Sequence, residues 1–257
     1  MSRPSTSTRR SAETTFAFST ITSAGDFWVG GRRALEEVEE ALGVCSRPLD
    51  QLRNDLTGEV RTRVARGIDP EVDALVEAGD TFPDRELRAV LSEIRLVKDE
   101  WEVEQIEAAV AATVRGFEDV ARAIPNFVGE RGERQIEVAF LARARRDGND
   151  SAFNPIAAAG PHATTLHWIR NDGPLLRGDL LLLDAGVESE TLYAADLTRT
   201  YPVNGTFSGV QRRMLELVNR AHDAALEAVA PGRPFRDFHL AVATVMAEGL
   251  ADWGSCP

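Results

Sequence analysis

The order of the hydrophobic patterns is the feature that most constrains the fold of this 257-residue chain. Two helical patterns come first, over residues 98–124 and 133–146, where apolar residues recur every three or four positions. Three strand-like segments and two further helical patterns then follow, over residues 152–160, 164–169, 180–187, 208–230 and 235–253. Helices and strands are grouped and do not alternate, which predicts an α+β fold and no βαβ-type parallel sheet.

Composition excludes several classes of function. The formal net charge is −12, so the chain lacks the basic surface that electrostatic binding of nucleic acid requires. No apolar run approaches the ~18–20 residues of a membrane span. The cysteines are Cys45 and Cys256, too few for a disulfide scaffold. We therefore expect a cytoplasmic protein without nucleic-acid or membrane partners.

The part of the chain before these patterns divides into two segments. Residues 1–15 lack the hydrophobic stretch of a secretory signal and predict a disordered leader. Residues 16–90 predict part of a small domain, and residues 91–257 the second domain. The patterns in the small domain are short, namely a helix over 33–42, a strand over 60–64 and a helix beginning at Asp69-Pro70.

Two aspartates are candidates for chemistry. Asp184 lies in the most apolar predicted strand, and Asp196 lies in the segment after it. If the strands form a hairpin that turns near residue 190, Asp184 and Asp196 lie directly opposite each other, with Cβ atoms ~4.5–5.5 Å apart. Two like charges at that distance repel, so a cation or a proton has to compensate them. A divalent cation such as manganese or magnesium, held by both carboxylates, is the direct solution. Spacing alone leaves open the alternative that both side chains face water.

The sequence motifs around these aspartates resemble those of a known family. The blocks, in order, are Thr165-Leu-His167-Trp, Asn171-Asp-Gly, Leu-Leu-Leu-Asp184-Ala-Gly, Ala-Asp196-Leu-Thr-Arg-Thr and Tyr201-Pro-Val-Asn-Gly. Together with Arg95-Leu-Val-Lys98 and Glu102, they resemble the Xaa-Pro aminopeptidases (aminopeptidase P). These are pita-bread metallopeptidases, related to prolidase and creatinase, and the likeness runs from about residue 91 to residue 253.

The resemblance implies a fold and an activity. The fold is the first half of a pita-bread catalytic domain, preceded by part of a small N-terminal α/β domain. The activity is removal of an N-terminal residue that precedes proline in a peptide, by a metal-activated hydroxide. The cofactor is a pair of ions, usually Mn²⁺, with Co²⁺ or Zn²⁺ as alternatives. The resemblance also allows a homo-oligomer.

The resemblance also implies roles for single residues. Asp184 binds one metal ion, and Asp196 bridges both. His167 lines the site and assists with hydrogen bonding or proton transfer; as part of a strand over 164–169 it would share a face with Thr165 and Ile169. Thr198 and Arg199 are expected to contact Asp196 and orient it without binding the metal themselves.

The sequence departs from the family pattern at both ends. The family's later His-Gly…His block and two metal-binding glutamates do not occur, and residues 25–30 resemble the middle of the family's N-terminal domain. We therefore expect a chain truncated at both ends, with little or no peptidase activity by itself. The alternatives are a non-catalytic remnant, a pseudoenzyme or an interaction module that pairs through an exposed sheet edge. Among enzymes, prolidase is the main alternative, followed by creatinase and methionine aminopeptidase.

Overall fold

The computed structural model describes residues 16–19, 33–56, 62–76 and 82–253. The chain divides into two units, one that ends at Val97 and one that begins at Lys98. The predicted leader over 1–15, the segment over 25–30, the first two residues of the predicted strand over 60–64, and Cys256 lie outside the described residues. Within the described ranges, no helix combines the length and the apolar character that a membrane crossing requires.

Apart from one helix of 15 residues, the described elements of the first unit are short. Its elements are β1 (Phe16–Ser19), α1 (Leu35–Leu42), β2 (Cys45–Pro48), α2 (Leu52–Leu56), α3 (Pro70–Leu75) and α4 (Phe82–Leu96). Strands β1 and β2 pair in parallel. Helix α1 ends at Gly43, which adopts a left-handed φ of 66°, and Asp69 caps α3 by accepting bonds from two backbone N–H groups. Residues 62–64 do not form the predicted strand.

The second unit confirms the predicted grouping of helices and strands. Its helices are α5 (Glu100–Ala123), α6 (Gly132–Asp147), α7 (Gly209–Ala228) and α8 (Arg236–Ala251). Its strands are β3 (Asp150–Ser151), β4 (Ile156–Ala159), β5 (Leu180–Ala185), β6 (Val187–Glu188) and β7 (Leu197–Pro202). The two helical patterns before the strands and the two after them all form, so the α+β class is correct.

The central sheet has one face that is packed in the apolar core and one that is partly accessible. Strands β4, β5 and β7 pair antiparallel in that order. Along β5, Leu181, Leu183 and Ala185 are buried in one core with residues of α5 and α6, such as Phe117 and Phe140. The alternate residues of β5, which end with Asp184, point to the other face and are half-buried. The alternation of the strand therefore keeps Asp184 out of the apolar core.

The predicted strand over residues 164–169 is wrong. A 3₁₀ helix covers Gly160–Thr164, and turns follow it up to the next strand. Within this segment the Thr165 N–H bonds to the carbonyl of His162, and the Ile169 N–H bonds to that of His167. These are local turn bonds, so the alternation that would place His167 on a strand face with Thr165 and Ile169 does not apply.

Candidate metal centre

Asp184 and Asp196 lie on one face of the sheet, but not directly opposite each other. Asp184 pairs with Thr198 on β7 and with Ile156 on β4. The ladder continues beyond β5, since the Ala195 N–H donates to the carbonyl of Val187 at 3.1 Å. The prediction that Asp184 faces Asp196 directly is therefore wrong by two positions. Because side chains alternate with a period of two, the shift leaves both carboxylates on the same face.

Glycine at position 186 allows the two strands to approach at this point. Gly186 is buried beside the backbone of Ala195, the residue before Asp196. A Cβ atom at position 186 would lie 1.6 Å from the carbonyl oxygen of Ala195. Only a residue without a side chain fits such a backbone contact. The glycine of the Asp184-Ala-Gly block thus helps to set the position of Asp196.

The environment of Asp184 favours the protonated form of its carboxyl group. Burial is the main cause that raises its pKa, and the neighbouring Asp196 carboxylate raises it further. The hydroxyl of Thr198, which donates to Oδ1 of Asp184 at 2.9 Å, and the charge of His167 lower the pKa. The side chains of Asp184, Asp196 and His167 are therefore close enough to interact electrostatically. A bound cation would favour the charged form of the aspartates.

The other predicted residues take different positions. His167 is exposed within the turn segment after the 3₁₀ helix. Thr198 contacts Asp184, whereas the sequence predicted it as a support for Asp196. Arg199 pairs with Leu183 and so lies on the face packed against the helices, where it bonds to the carbonyl of Thr198. The structure therefore does not bring the Arg199 guanidinium to Asp196.

A buried carboxylate that the sequence did not reveal contacts the segment that contains His167. Glu133, in the first turn of α6, is fully buried and accepts four hydrogen bonds. The donors are the backbone N–H groups of Ala159 and Gly173, the His162 ring and the Trp168 indole, at 2.7–2.9 Å. No sequence signal distinguishes Glu133 from an ordinary acidic residue in a first helical turn, where acidic side chains are favoured anyway.

The family follows from a comparison with known proteins. Residues 104–255, more than half of the chain, match Metallopeptidase family M24. The chain belongs to this family. The match includes both aspartates, His167 and Glu133, and it confirms the metallopeptidase relationship that the sequence blocks indicate.

Several relatives of this M24 chain are Xaa-Pro aminopeptidases. It is 48% identical over 234 residues to Xaa-Pro aminopeptidase 1 of Streptomyces coelicolor, and 47% identical over 231 residues to Xaa-Pro aminopeptidase 2 of that organism. The alignments cover 90% and 89% of this chain, but 47% and 49% of the relatives. The M24 chain thus spans about half the length of the curated relatives it matches.

Solved structures show the same fold. Proline aminopeptidase P II from Yersinia pestis superimposes with a TM-score of 0.78 at 28% identity, over 92% of this chain and 58% of that one. Aminopeptidase PepP from Pseudomonas aeruginosa gives 0.75 at 28% identity, over 93% and 58%. The fold prediction of an incomplete pita-bread domain is therefore correct for this M24 chain.

Membership of M24 implies a divalent metal cofactor. The candidate site residues provide some of the ligands that such a cofactor needs. Asp184 and Asp196 offer hard oxygen ligands on one face of the sheet, which suits a divalent cation. In the part of the chain that the structure describes, no group of three or more His, Cys, Asp or Glu side chains is arranged to hold a metal ion. Two carboxylates are too few for a pair of ions that each need several ligands. Among the described residues of this M24 chain, the two aspartates thus form only part of such a ligand set.

Proposed function

We propose that this chain carries the first half of an Xaa-Pro aminopeptidase site, which removes an N-terminal residue that precedes proline. The observation that carries the proposal is that Asp184 and Asp196 share the half-buried face of the β4-β5-β7 sheet and interact electrostatically. The names of the Streptomyces relatives favour the substrates of an Xaa-Pro aminopeptidase over those of prolidase. Proline-containing peptides are therefore the proposed substrates.

The chain's own residues have distinct tasks in this proposal. When bound, two divalent cations lower the pKa of a water molecule and polarise the carbonyl that is attacked. Asp184 and Asp196 would supply oxygen ligands to these cations. Thr198 orients Asp184, because its hydroxyl donates to Oδ1 and leaves the other oxygen free of that bond. His167, which is exposed and interacts electrostatically with Asp184, bonds to the peptide or transfers a proton.

We further propose that the 257-residue polypeptide by itself has little or no peptidase activity. The two aspartates provide too few ligands to fix a pair of cations in a reactive geometry. Manganese remains the proposed metal, with cobalt and zinc as alternatives, because carboxylate oxygens suit the harder ion best. A cytoplasmic location, a homo-oligomer and a domain boundary near residue 90 remain predictions.

Metal binding tests the proposal directly. Mn²⁺ uptake by the purified chain is measured by titration calorimetry for the wild type, Asp184→Ala and Asp196→Ala. The matched control is Asp172→Ala, an exposed aspartate in the turn segment. We expect each site variant to weaken uptake by at least about tenfold, about 1.4 kcal/mol, and the control to match the wild type.

Two results would contradict parts of the proposal. Unchanged Mn²⁺ uptake in either site variant would show that the aspartates do not share an ion, and the assigned site would be wrong. Manganese-dependent release of an N-terminal residue from an Xaa-Pro peptide by the lone chain would contradict the expected inactivity. Cleavage restricted to dipeptides would favour prolidase chemistry.

A further inference from the structure

The side chain of Glu133 is a buried charge with an unusually complete set of partners. Its Oε1 accepts from the Ala159 N–H at 2.8 Å and lies 2.8 Å from Nδ1 of His162. Its Oε2 accepts from the Trp168 indole at 2.9 Å and from the Gly173 N–H at 2.7 Å. The side chain is fully buried. A carboxylate is costly to remove from water, so these four bonds are what permits it there.

The four partners of Glu133 all belong to one segment of the chain. Ala159 and Gly173 lie at its two ends, and His162 and Trp168 lie between them. Only its first residue, Ala159, belongs to a strand, and a short 3₁₀ helix and turns follow, so regular backbone pairing does not fix the course of residues 160–173. The Glu133 carboxylate replaces that pairing, because it forms hydrogen bonds with both ends and the middle of the segment. We name residues 159–173 the His167 segment.

One aromatic contact extends this anchoring to the residue next to His167. Trp168, which directly follows His167, stacks on the His162 ring at a centroid distance of 3.8 Å. Both rings also bond to Glu133. At Gly173 a Cβ atom would lie 2.5 Å from the His162 ring and 2.7 Å from Oε2 of Glu133. The cluster is therefore packed too closely for a side chain at that position.

A second buried side chain joins the same segment to the sheet of the metal site. Asn171 has a left-handed φ of 45°, and its amide bonds to the Ala157 N–H and to the carbonyl of Pro155. Those partners lie in or beside β4, whose Ile156 pairs with Asp184. The His167 segment and Asp184 are thus attached to the same small sheet.

We propose that Glu133 is a positioning residue that fixes His167 in place beside Asp184. It acts through Trp168 and the two ends of the His167 segment, and it contacts neither the metal site nor a substrate. The role of His167 itself rests on the proposed function; the anchoring by Glu133 does not. Replacing one carboxylate oxygen by an amide turns an acceptor into a donor, which then faces two existing donors.

Backbone order in the metal-free chain tests this proposal. Order parameters from ¹⁵N relaxation are compared at His167 and Ile169, which do not contact Glu133. In the wild type we expect values of about 0.85, and in Glu133→Gln values below about 0.6. The matched control is Glu118→Gln on α5, whose exposed carboxylate lies 3.7 Å from the guanidinium of Arg122 on the same helix. We expect it to match the wild type.

The Val187 amide separates local loosening from unfolding. This buried N–H donates to the Thr113 hydroxyl at 2.9 Å, away from the His167 segment. Its hydrogen exchange should stay within about twofold of the wild type in Glu133→Gln, because exchange in the core follows global opening. Should that variant unfold, Trp168→Phe tests the same point, since it removes one bond and keeps a ring for stacking. We then expect lower order at His167 with Val187 still protected.

The outcomes separate this inference from the proposed function. Unchanged order at His167 in a folded Glu133→Gln, or in Trp168→Phe where Glu133→Gln unfolds, would overturn the positioning role. Lower order at His167 with a protected Val187 supports it. The measurement uses neither metal nor peptide, so failure of Mn²⁺ binding would remove the proposed function and leave the result at Glu133 standing.

Discussion

Gly186 provides the sharpest test of how the strands position the proposed metal site. In Gly186→Ala the new Cβ would lie 1.6 Å from the carbonyl oxygen of Ala195 and 2.6 Å from its carbonyl carbon. Both atoms belong to the backbone, so no side-chain rotation can relieve the contact. Overpacking costs about 1–3 kcal/mol, and loss of one backbone hydrogen bond adds about 1 kcal/mol. We expect a destabilisation of about 3 kcal/mol.

Thermal unfolding followed by circular dichroism measures this cost. For a unit of about 150–250 residues, 1 kcal/mol lowers Tm by about 2–4 °C, so Gly186→Ala should melt about 6–12 °C below the wild type. The matched control is Gly209→Ala at the start of α7, where a Cβ would meet no atom within 4 Å. Alanine is favoured over glycine in a helix, so the control should melt at or above the wild-type temperature.

The same variant tests whether the loss of stability is accompanied by a loss of Mn²⁺ binding. Ala195 precedes Asp196, so a displaced carbonyl at Ala195 moves the aspartate relative to Asp184, and Mn²⁺ uptake should fall together with Tm. A Gly186→Ala chain that melts within about 2 °C of the wild type would refute the argument. It would show that the strands separate at this point without cost, and that the glycine does not set their spacing.

Two further predictions concern single polar contacts. Thr198→Val removes the bond to Asp184 and should weaken Mn²⁺ uptake by about 10–100-fold in calorimetry, whereas Thr200→Val, on the same strand face, should not change it. The hydrogen bond from Arg115 is the main cause that lowers the pKa of Asp147 below 3.8, so this pair stabilises the fold above that pH and loses its effect as the pH falls. Acid titration of Arg115→Met should therefore show lower stability at pH 7 and a shallower loss below pH 4; an acid profile identical to the wild type would contradict this.

The helices of the second unit could be predicted because one physical pattern decides them. Apolar residues at helical spacing over 98–124 and 208–230 indicate faces that must be buried, and α5 and α7 form there with ends within two residues of the prediction. Ser208 caps α7 as its capping box predicts, with its hydroxyl accepting from the Gln211 N–H. Local chemistry and burial agree at these positions, so the sequence is sufficient.

The segment around His167 could not be predicted, since contacts distant in sequence decide its course. Residues 164–169 include two threonines, a tryptophan and an isoleucine, which favour a strand. Glu133 and Asn171 instead hold the segment from outside residues 164–169, through side-chain bonds to the N–H groups of β4 and of Gly173. Nothing near residue 167 in the sequence reveals a carboxylate placed one helix earlier in the chain.

The error in strand register shows why the aspartate prediction still holds in part. A symmetric turn at residue 190 ignores the actual connection, where Leu192 adopts a left-handed φ of 67° and Ser189 bonds to Tyr193. The strands consequently pair Asp184 with Thr198, two positions from the expectation. A shift of one position would have sent the carboxylates to opposite faces, whereas a shift of two keeps both on one face and only lengthens the distance between them. A sequence argument about which side chains share a sheet face thus depends on whether its register error is odd or even, more than on its size.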